Sequence, residues 1–546
     1  MTRAVHLHRP ARPDTPAAIS FATDERGSIT IFALVLFMLI VMLGGIAIDV
    51  MKHETIRTTL TNTLDRCALM SASLDQTLDP QAVFDDCIEK AGLSQQIEKI
   101  EVVNSLNHRE VTANARAETN PFFLHLIGIN DFDARSRTKA EQAITNVEIA
   151  LVLDISGSMS GSRITNLKSA ASEFVATMLD SDPEHRISIT IVPYNAQVNL
   201  GPVLRGKYNA TNLHGVANVN CLELPFSVYD APGISRTLPL PMMAYADHAY
   251  GTSMIDGYVS PTSSSALPNY ASEFCRQNTY GIVRLPSQDK ATLQSQINAL
   301  QAGGNTSITL GMKWGMTLLD PTARPMYSEL ISAGQMSNTL AGRPFDYNDP
   351  DSMKVIVLMT DGEHVSHDRI TDAYKTGLSP IYRSSGDGQY SVYQPSHTGT
   401  SKYFVPHLGT WQASAWTNNA TPAVQQDWKN VWANLKLSYV AWQFYGRALG
   451  TTSTSRNAAY NAALNDMRAT YAEVATMNAQ LQTSCAQAKD RKVIVYGIAF
   501  EAPSNGQAQI SACASSPSHY YNAQGMEIQS AFRSIASNLT QLKLTQ

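Results

Sequence analysis

The sequence predicts an α/β fold built on a doubly wound, mostly parallel sheet, and three observations carry that prediction. Near-continuous apolar runs recur at VEIALVL (147–153), ISITIVPY (187–194), VIVLMTD (355–361) and VIVYGIAF (493–500). Such runs suit parallel strands covered on both faces. Segments with helical spacing separate or follow them, around 289–300, 308–319, 456–488 and 526–541. The first run empties into a loop of small oxygen-bearing residues, DISGSMSGS. Strand ends of a doubly wound sheet are where ligands collect.

The chain has 546 residues, 44% of them hydrophobic and 16% charged, with a net charge of −5. It is long enough for more than one domain. No basic block marks a nucleic-acid footprint, so that partner class is disfavoured. Residues 1–28 contain proline and arginine and little apolar material, and read as a cytoplasmic tail. Residues 29–48, ITIFALVLFMLIVMLGGIAI, carry no charge. A run of about 20 such residues spans a bilayer core. It continues into Asp49 and Lys52 without a cleavage pattern, which favours a retained transmembrane anchor. No second run of that length follows, so the rest of the chain lies on one side of the membrane.

Flanking charge sets the orientation only weakly. The six cysteines decide it, because all follow the span: Cys67, Cys87, Cys221, Cys275, Cys485 and Cys513. They fall into the sequential pairs 67–87, 221–275 and 485–513. An even count beyond an anchor points to an oxidising compartment. Six scattered reduced thiols are the alternative, and none has CxxC spacing.

Ile56, Leu60, Leu64 and Cys67 recur at helical spacing, and Asp79–Pro80 reads as the end of that helix. A second helix carries Val83, Phe84, Cys87 and Ile88, giving a hairpin. Between 97 and 145 two alternating strands, a short helix at NPFFLHLIGI and a polar strand ARSRTKAEQA suggest a small α+β stalk module, with residues 49–145 as one unit. From 146 the strand–helix alternation begins. Ser162 reads as the N-cap of a helix that places Ile164, Leu167, Ala171, Phe174 and Met178 on one face. Residues 201–285 and 364–455 interrupt the alternation and read as insertions in the domain 146–546.

Asp154 ends the first strand of that domain, and Ser156 and Ser158 follow at spacing two. One carboxylate and two hydroxyls form a hard-oxygen cluster suited to Mg²⁺. Mg²⁺ wants six oxygens, and two further segments can supply more. GGNTSITLG (303–311) places Thr306 before a helix, with Ser307 and Thr309 close by. VLMTDGE (357–363) places Asp361 at another strand end. DISGS, the loop threonine and TDG, in this order, resemble the metal-ion-dependent adhesion site of a von Willebrand factor A domain, with its Rossmann-like fold. The resemblance implies a metal shell of Asp154, Ser156, Ser158, Thr306 and Asp361, with Mg²⁺ (or Mn²⁺ or Ca²⁺) left able to take a carboxylate from a protein partner. A serine-rich loop capping a helix is the plainer reading of DxSxS alone.

A second resemblance covers both ends of the chain. ERGSITIFALVLFMLIVMLGGIAIDV and TTLTNTLDRCALMSASL, together with GMKWGMTLLDP, VIVYGIAFEAP, CASSPSHYYNA and AFRSIASNLTQLKLTQ, are similar to TadG-like proteins of the Tad/Flp pilus-assembly system. This implies a single-pass protein of the bacterial inner membrane, mostly periplasmic, that is not an enzyme and whose partners are other pilus-assembly components. Pilin-like relatives in that system have a glutamate five residues after the processing-site glycine. Phe32 stands at that spacing from Gly27, so processing is not expected.

The second insertion is rich in Tyr and Trp, including Tyr390, Trp411, Trp416, Trp428 and Trp432, which suit either a partner-recognition rim or a core of its own. Two rival functions follow from other features. A surface adhesin would use the same site to capture a host or matrix protein. A zinc-dependent hydrolase would use Glu363, His364, His367 and Asp368. The spacing is not HExxH, and neither a GxSxG elbow nor a Walker loop is present.

Overall fold

A computed structural model describes residues 28–73, 78–104, 108–143, 146–247, 257–269, 273–349, 351–419 and 422–545. The cytoplasmic tail read from residues 1–28 lies almost wholly outside them. The chain is a mixed α/β protein with an apolar N-terminal helix, and it divides into two compact units, 1–143 and 144–546.

The first unit is organised by one long helix, α1 (Ser28–Ala72), whose N-terminal part is long and apolar enough to cross a membrane. The helix does not stop where the apolar run stops. Its later turns present Leu60, Leu64, Cys67 and Ala68 to a small core, at the i, i+4 spacing of one helix face. The core is completed by α2 (Pro80–Lys90) and an antiparallel sheet of β1 (Ile97–Asn104), β2 (His108–Ala117) and β3 (Ala134–Ala143), in that order. Ala113, Ala115, Ala134 and Ala140 are buried there, and such small side chains let α1 lie close on the sheet. Thr138 Oγ1 donates to Asp65 at 2.6 Å, and Thr61 and Ser136 share a hydrogen bond of 2.9 Å.

Asp79–Pro80 acts differently from the sequence expectation. α1 ends at Ala72, and Asp79 is the N-cap of α2, accepting from the Ala82 N–H at 3.1 Å, with Pro80 in the first turn. Proline is tolerated there because its missing N–H has no intrahelical partner to lose. Cys67 and Cys87 are joined across the hairpin. NPFFLHLIGI forms only a 3₁₀ turn (Leu124–Ile127), closed by Gly128 at φ 88°.

The second unit is centred on a six-stranded sheet. Its order is Tyr520–Ala523, Ile494–Phe500, Ser352–Thr360, β4 (Asn146–Asp154), β5 (Ile187–Tyr194) and Arg284–Ser287. All neighbours pair in parallel except β5 with Arg284–Ser287. Alternate residues of β4 feed two cores. Val147, Ile149, Leu151 and Leu153 meet α3 (Ser162–Asp180) and the helix Glu527–Thr545. Ala150 and Val152 meet the helix Ile308–Leu319, on the face of the sheet shared with Ile356 and Leu358.

The helix Ile308–Leu319 is buried along its whole length, and two glycines allow it. A Cβ on Gly311 would lie 2.5 Å from the Tyr194 ring and 2.9 Å from Val152, and one on Gly315 would lie 2.6 Å from Val152. Alanine normally stabilises a helix interior over glycine by about 1 kcal/mol. Here the sign reverses: Gly311→Ala is expected to destabilise by about 1–3 kcal/mol through overpacking, as read by urea denaturation.

Three of the remaining sequence expectations need correction. Gly161, at φ 83°, is the residue before α3, and Ser162 is its first residue rather than its cap. The helix read over 456–488 is two helices, Ser453–Met467 and Val474–Asp490, separated by the strand Arg468–Ala472. That strand pairs antiparallel with His367–Ile370. The parallel reading also does not extend to the whole chain. Residues 378–427 form a five-stranded antiparallel sheet, so the second insertion has a structure of its own.

The two insertions share one core. Val219, Cys221, Met243, Phe274 and Cys275 of the first pack with Tyr390, Phe404, Trp428, Trp432 and Trp442 of the second. Tyr460, Leu464 and Met467 join the same core, although the sequence reading placed them after the insertion. Of the aromatics weighed as a rim or a core, Tyr390, Trp428 and Trp432 are interior, while Trp411 and Trp416 stay part-exposed and Tyr393 is exposed. Cys221–Cys275 and Cys485–Cys513 are bonded, and no free cysteine is present among the described residues.

Candidate metal centre

Asp154 and Asp361 come together because their strands are parallel neighbours. Leu153 is opposite Met359, so both chains turn out of the sheet at the same edge. The Asp154 carboxylate is buried, with Oδ1 accepting from the Ser156 N–H at 2.8 Å and Oδ2 from Thr360 Oγ1 at 2.7 Å. Ser156 Oγ and Ser158 Oγ lie 3.0 Å apart, and Ser158 Oγ donates to Asp361 Oδ1 at 2.7 Å.

The third segment is stitched to the first by backbone. Gly157 N–H donates to the Gly304 carbonyl and Gly303 N–H to that of Ile155, both at 2.8 Å. Asn195 holds the loop from beneath, donating from Nδ2 to the Gly303 carbonyl at 2.8 Å. A Cβ on Gly304, at φ 89°, would lie 2.9 Å from that amide, so glycine is required on both counts. Thr306 is thereby brought to the cluster. A Cβ on Gly362 would lie 3.3 Å from Thr306 Oγ1 and 3.7 Å from Ser158 Oγ, which places both hydroxyls beside the same backbone atom.

Sequence reasoning missed the charged surroundings. Arg163 Nη1 donates to Asp361 Oδ2 at 2.8 Å, and its Nε donates to Glu501 Oε2 at 2.7 Å. Glu501 follows the strand Ile494–Phe500, so a search of every strand end for carboxylates would have found it. Arg163 has no comparable signal, since it stands one residue into an ordinary helix.

The donor set fits a hard divalent cation. It is all oxygen, with two carboxylates and three hydroxyls. Octahedral Mg–O bonds of about 2.0–2.1 Å place adjacent oxygens about 2.9 Å apart, and the Ser156–Ser158 and Ser158–Asp361 separations are 3.0 and 2.7 Å. Burial, and then the neighbouring Asp361, push the Asp154 carboxyl up from 3.8 to about 7, against the hydrogen bonds from Thr360 and Ser156. A cation would offset that unfavourable negative charge.

A pH dependence follows. The unfolded chain ionises Asp154 near 3.8 and the folded chain only near 7. The native state binds the extra proton in between, so this group's contribution to stability falls as pH rises from about 4 to about 7. In chelator, the melting temperature of Asp154→Asn is expected to lack that fall.

The proposed zinc cluster is not assembled. His364 is buried with Nε2 accepting from the Thr309 N–H at 3.0 Å and Nδ1 bonded to Asn478 Oδ1 at 2.7 Å, so both ring nitrogens are committed. Asp368 pairs with Arg468 at 3.0 Å, and His367 stacks on Tyr471. Burial pushes both histidines down to about 4. Among the described residues no group of three or more His, Cys, Asp or Glu could hold a metal.

Fold and site together define a mixed α/β protein that carries an apolar N-terminal helix and an oxygen-lined strand-end cluster. Residues 27–74 match the family described as "Putative Flp pilus-assembly TadE/G-like", a match confined to the apolar helix and its continuation. No curated protein sequence matches significantly. Among solved structures, the chain is similar to the vWF domain of the type V pili tip protein Mfa5 from Porphyromonas gingivalis, at 13% identity and TM-score 0.31, covering 74% of this chain and 98% of that one. It is also similar to the adhesive tip pilin GBS104 from Group B Streptococcus agalactiae, at 10% identity and TM-score 0.30, covering 72% and 99%. The pilus adhesin RrgA from Streptococcus pneumoniae gives 12% identity and TM-score 0.30, covering 81% and 48%. Likenesses this slight assign no function.

Proposed function

We propose that this chain is a membrane-anchored, metal-dependent protein-binding component of a Tad/Flp-type pilus, acting in its assembly or anchoring. The anchor is α1, placed in the inner membrane with the bulk of the chain in the periplasm. The metal is Mg²⁺, held by Asp154, Ser156, Ser158, Thr306 and Asp361 in a von Willebrand A-type site on the doubly wound sheet. The partner supplies a carboxylate to the remaining position. The observation that supports the reading is that Ser158, hydrogen-bonded to Ser156 and to Asp361, lies with Thr306 beside Gly362, while Asp154 holds the Ser156 N–H.

The chemistry is binding rather than catalysis. The hydroxyls have no histidine partner of the kind that activates a serine nucleophile: His364, three residues beyond Asp361, has both nitrogens committed elsewhere. Ser158 and Gly157 are exposed, so the cluster opens to solvent on the side where a partner would approach. The pilus context is supported by the family match over residues 27–74.

The test uses the full chain, solubilised from the envelope of a Tad-bearing bacterium. Capture of pilus-assembly proteins is expected in Mg²⁺, lost in EDTA and regained when Mg²⁺ is restored. Capture indifferent to chelation would overturn the metal-dependent reading.

A further inference from the structure

The segment 121–129 exposes an unusual set of side chains. Phe122 is 71% exposed, Leu126 65%, Ile127 47% and Ile129 41%. Isolated apolar residues on a surface need no explanation, but four within eight positions form a patch. The segment is also fixed against the end of the apolar run in α1. Asp49 accepts from the backbone N–H groups of Phe122, Phe123 and Leu124 at 3.0, 2.7 and 2.9 Å. A Cβ on Gly45 would overlap the Phe123 ring, so that ring lies directly on the helix. Lys52 Nζ sits 5.3 Å from the centre of the Phe122 ring.

These contacts fix the depth. At about 1.5 Å per residue, Gly45 to Asp49 is about 6 Å of helix. The patch is therefore level with the last turn of the apolar run, where the helix leaves the hydrocarbon. Aromatic rings and basic side chains concentrate at that level, and apolar groups enter the boundary there by about 5–10 Å.

The backbone is suited to such a place. Unpaired N–H groups are costly near lipid. Here Phe122, Phe123 and Leu124 are satisfied by Asp49, while Leu126, Gly128 and Ile129 donate to the carbonyls of Phe123, His125 and Leu124.

We infer that residues 121–129 are a second membrane contact, an apolar loop that inserts Phe122, Leu126, Ile127 and Ile129 into the lipid interface beside the exit of α1. Two attachment points restrict the tilt and rotation of α1 and hold the first unit against the bilayer. The inference rests on the anchor part of the proposed function and not on the metal.

The six cysteines are bonded in pairs, so a single introduced cysteine can be labelled. Full-length Leu126→Cys, Met38→Cys and Lys90→Cys variants carry an environment-sensitive fluorophore in phosphatidylcholine–phosphatidylglycerol vesicles containing shallow or deep nitroxide lipids. The label at 126 is expected to be quenched at least about twofold more by the shallow lipid than the deep one, as for an interfacial group. The label at 38 should prefer the deep lipid, and the label at 90 should respond to neither. An unquenched 126 beside a quenched 38 overturns the inference alone. An unquenched 38 overturns the anchor reading, and the inference with it.

Discussion

Asp154→Ala is expected to lower Mg²⁺ or Mn²⁺ affinity by more than about 100-fold, since even residues that merely orient metal ligands contribute 10–100-fold. The buried carboxylate is hydrogen-bonded on both oxygens and stands where burial and Asp361 make its charge unfavourable without a counter-ion. Removing it takes away half of the carboxylate charge of the cluster. Calorimetric titration of the full chain measures the loss. His364→Ala, which removes a histidine bonded to Thr309 and Asn478 instead, should leave that affinity unchanged. Zinc binding that survives Asp154→Ala and disappears in His364→Ala would support the hydrolase reading.

The second large effect concerns the insertions. Trp432 is 1% exposed, lies 5.3 Å from Trp428 in a stacked pair and donates from Nε1 to the Tyr374 carbonyl at 2.7 Å. Trp432→Ala is expected to destabilise by about 3–5 kcal/mol, the cost of an emptied aromatic site. The shared core adds a more specific expectation. Segments 201–285 and 364–455 should become protease-sensitive together, because Met243 and Phe274 pack in the same cluster as Trp432. Loss of protection in the second insertion alone would argue against a common core.

The parts of this molecule legible in sequence are those where one local pattern has one structural consequence. The apolar runs at 147–153, 187–194, 355–361 and 493–500 all lie in the six-stranded sheet. The cysteine pairs follow chain order and are bonded that way. Asp154, Ser156 and Ser158 sit in one loop, and Asp361 needs only the neighbouring strand to reach them. Other features depend on tertiary context. Asp79–Pro80 can end one helix or begin the next, and the side-chain cap on Ala82 decides it. The segment 456–488 has unbroken helical composition, yet Arg468–Ala472 is drawn into a strand by its partner at 367–370. Arg163 and Glu501 meet across the site from positions far apart in the chain, and nothing local in either announces the other.

Anomalous diffraction from crystals grown with Mn²⁺ tests the central claim most directly. One peak is expected within about 2.0–2.6 Å of Ser156 Oγ and Ser158 Oγ, bordered by Thr306, Asp154 and Asp361. A peak elsewhere on the chain, or none at this cluster at saturating Mn²⁺, would contradict it.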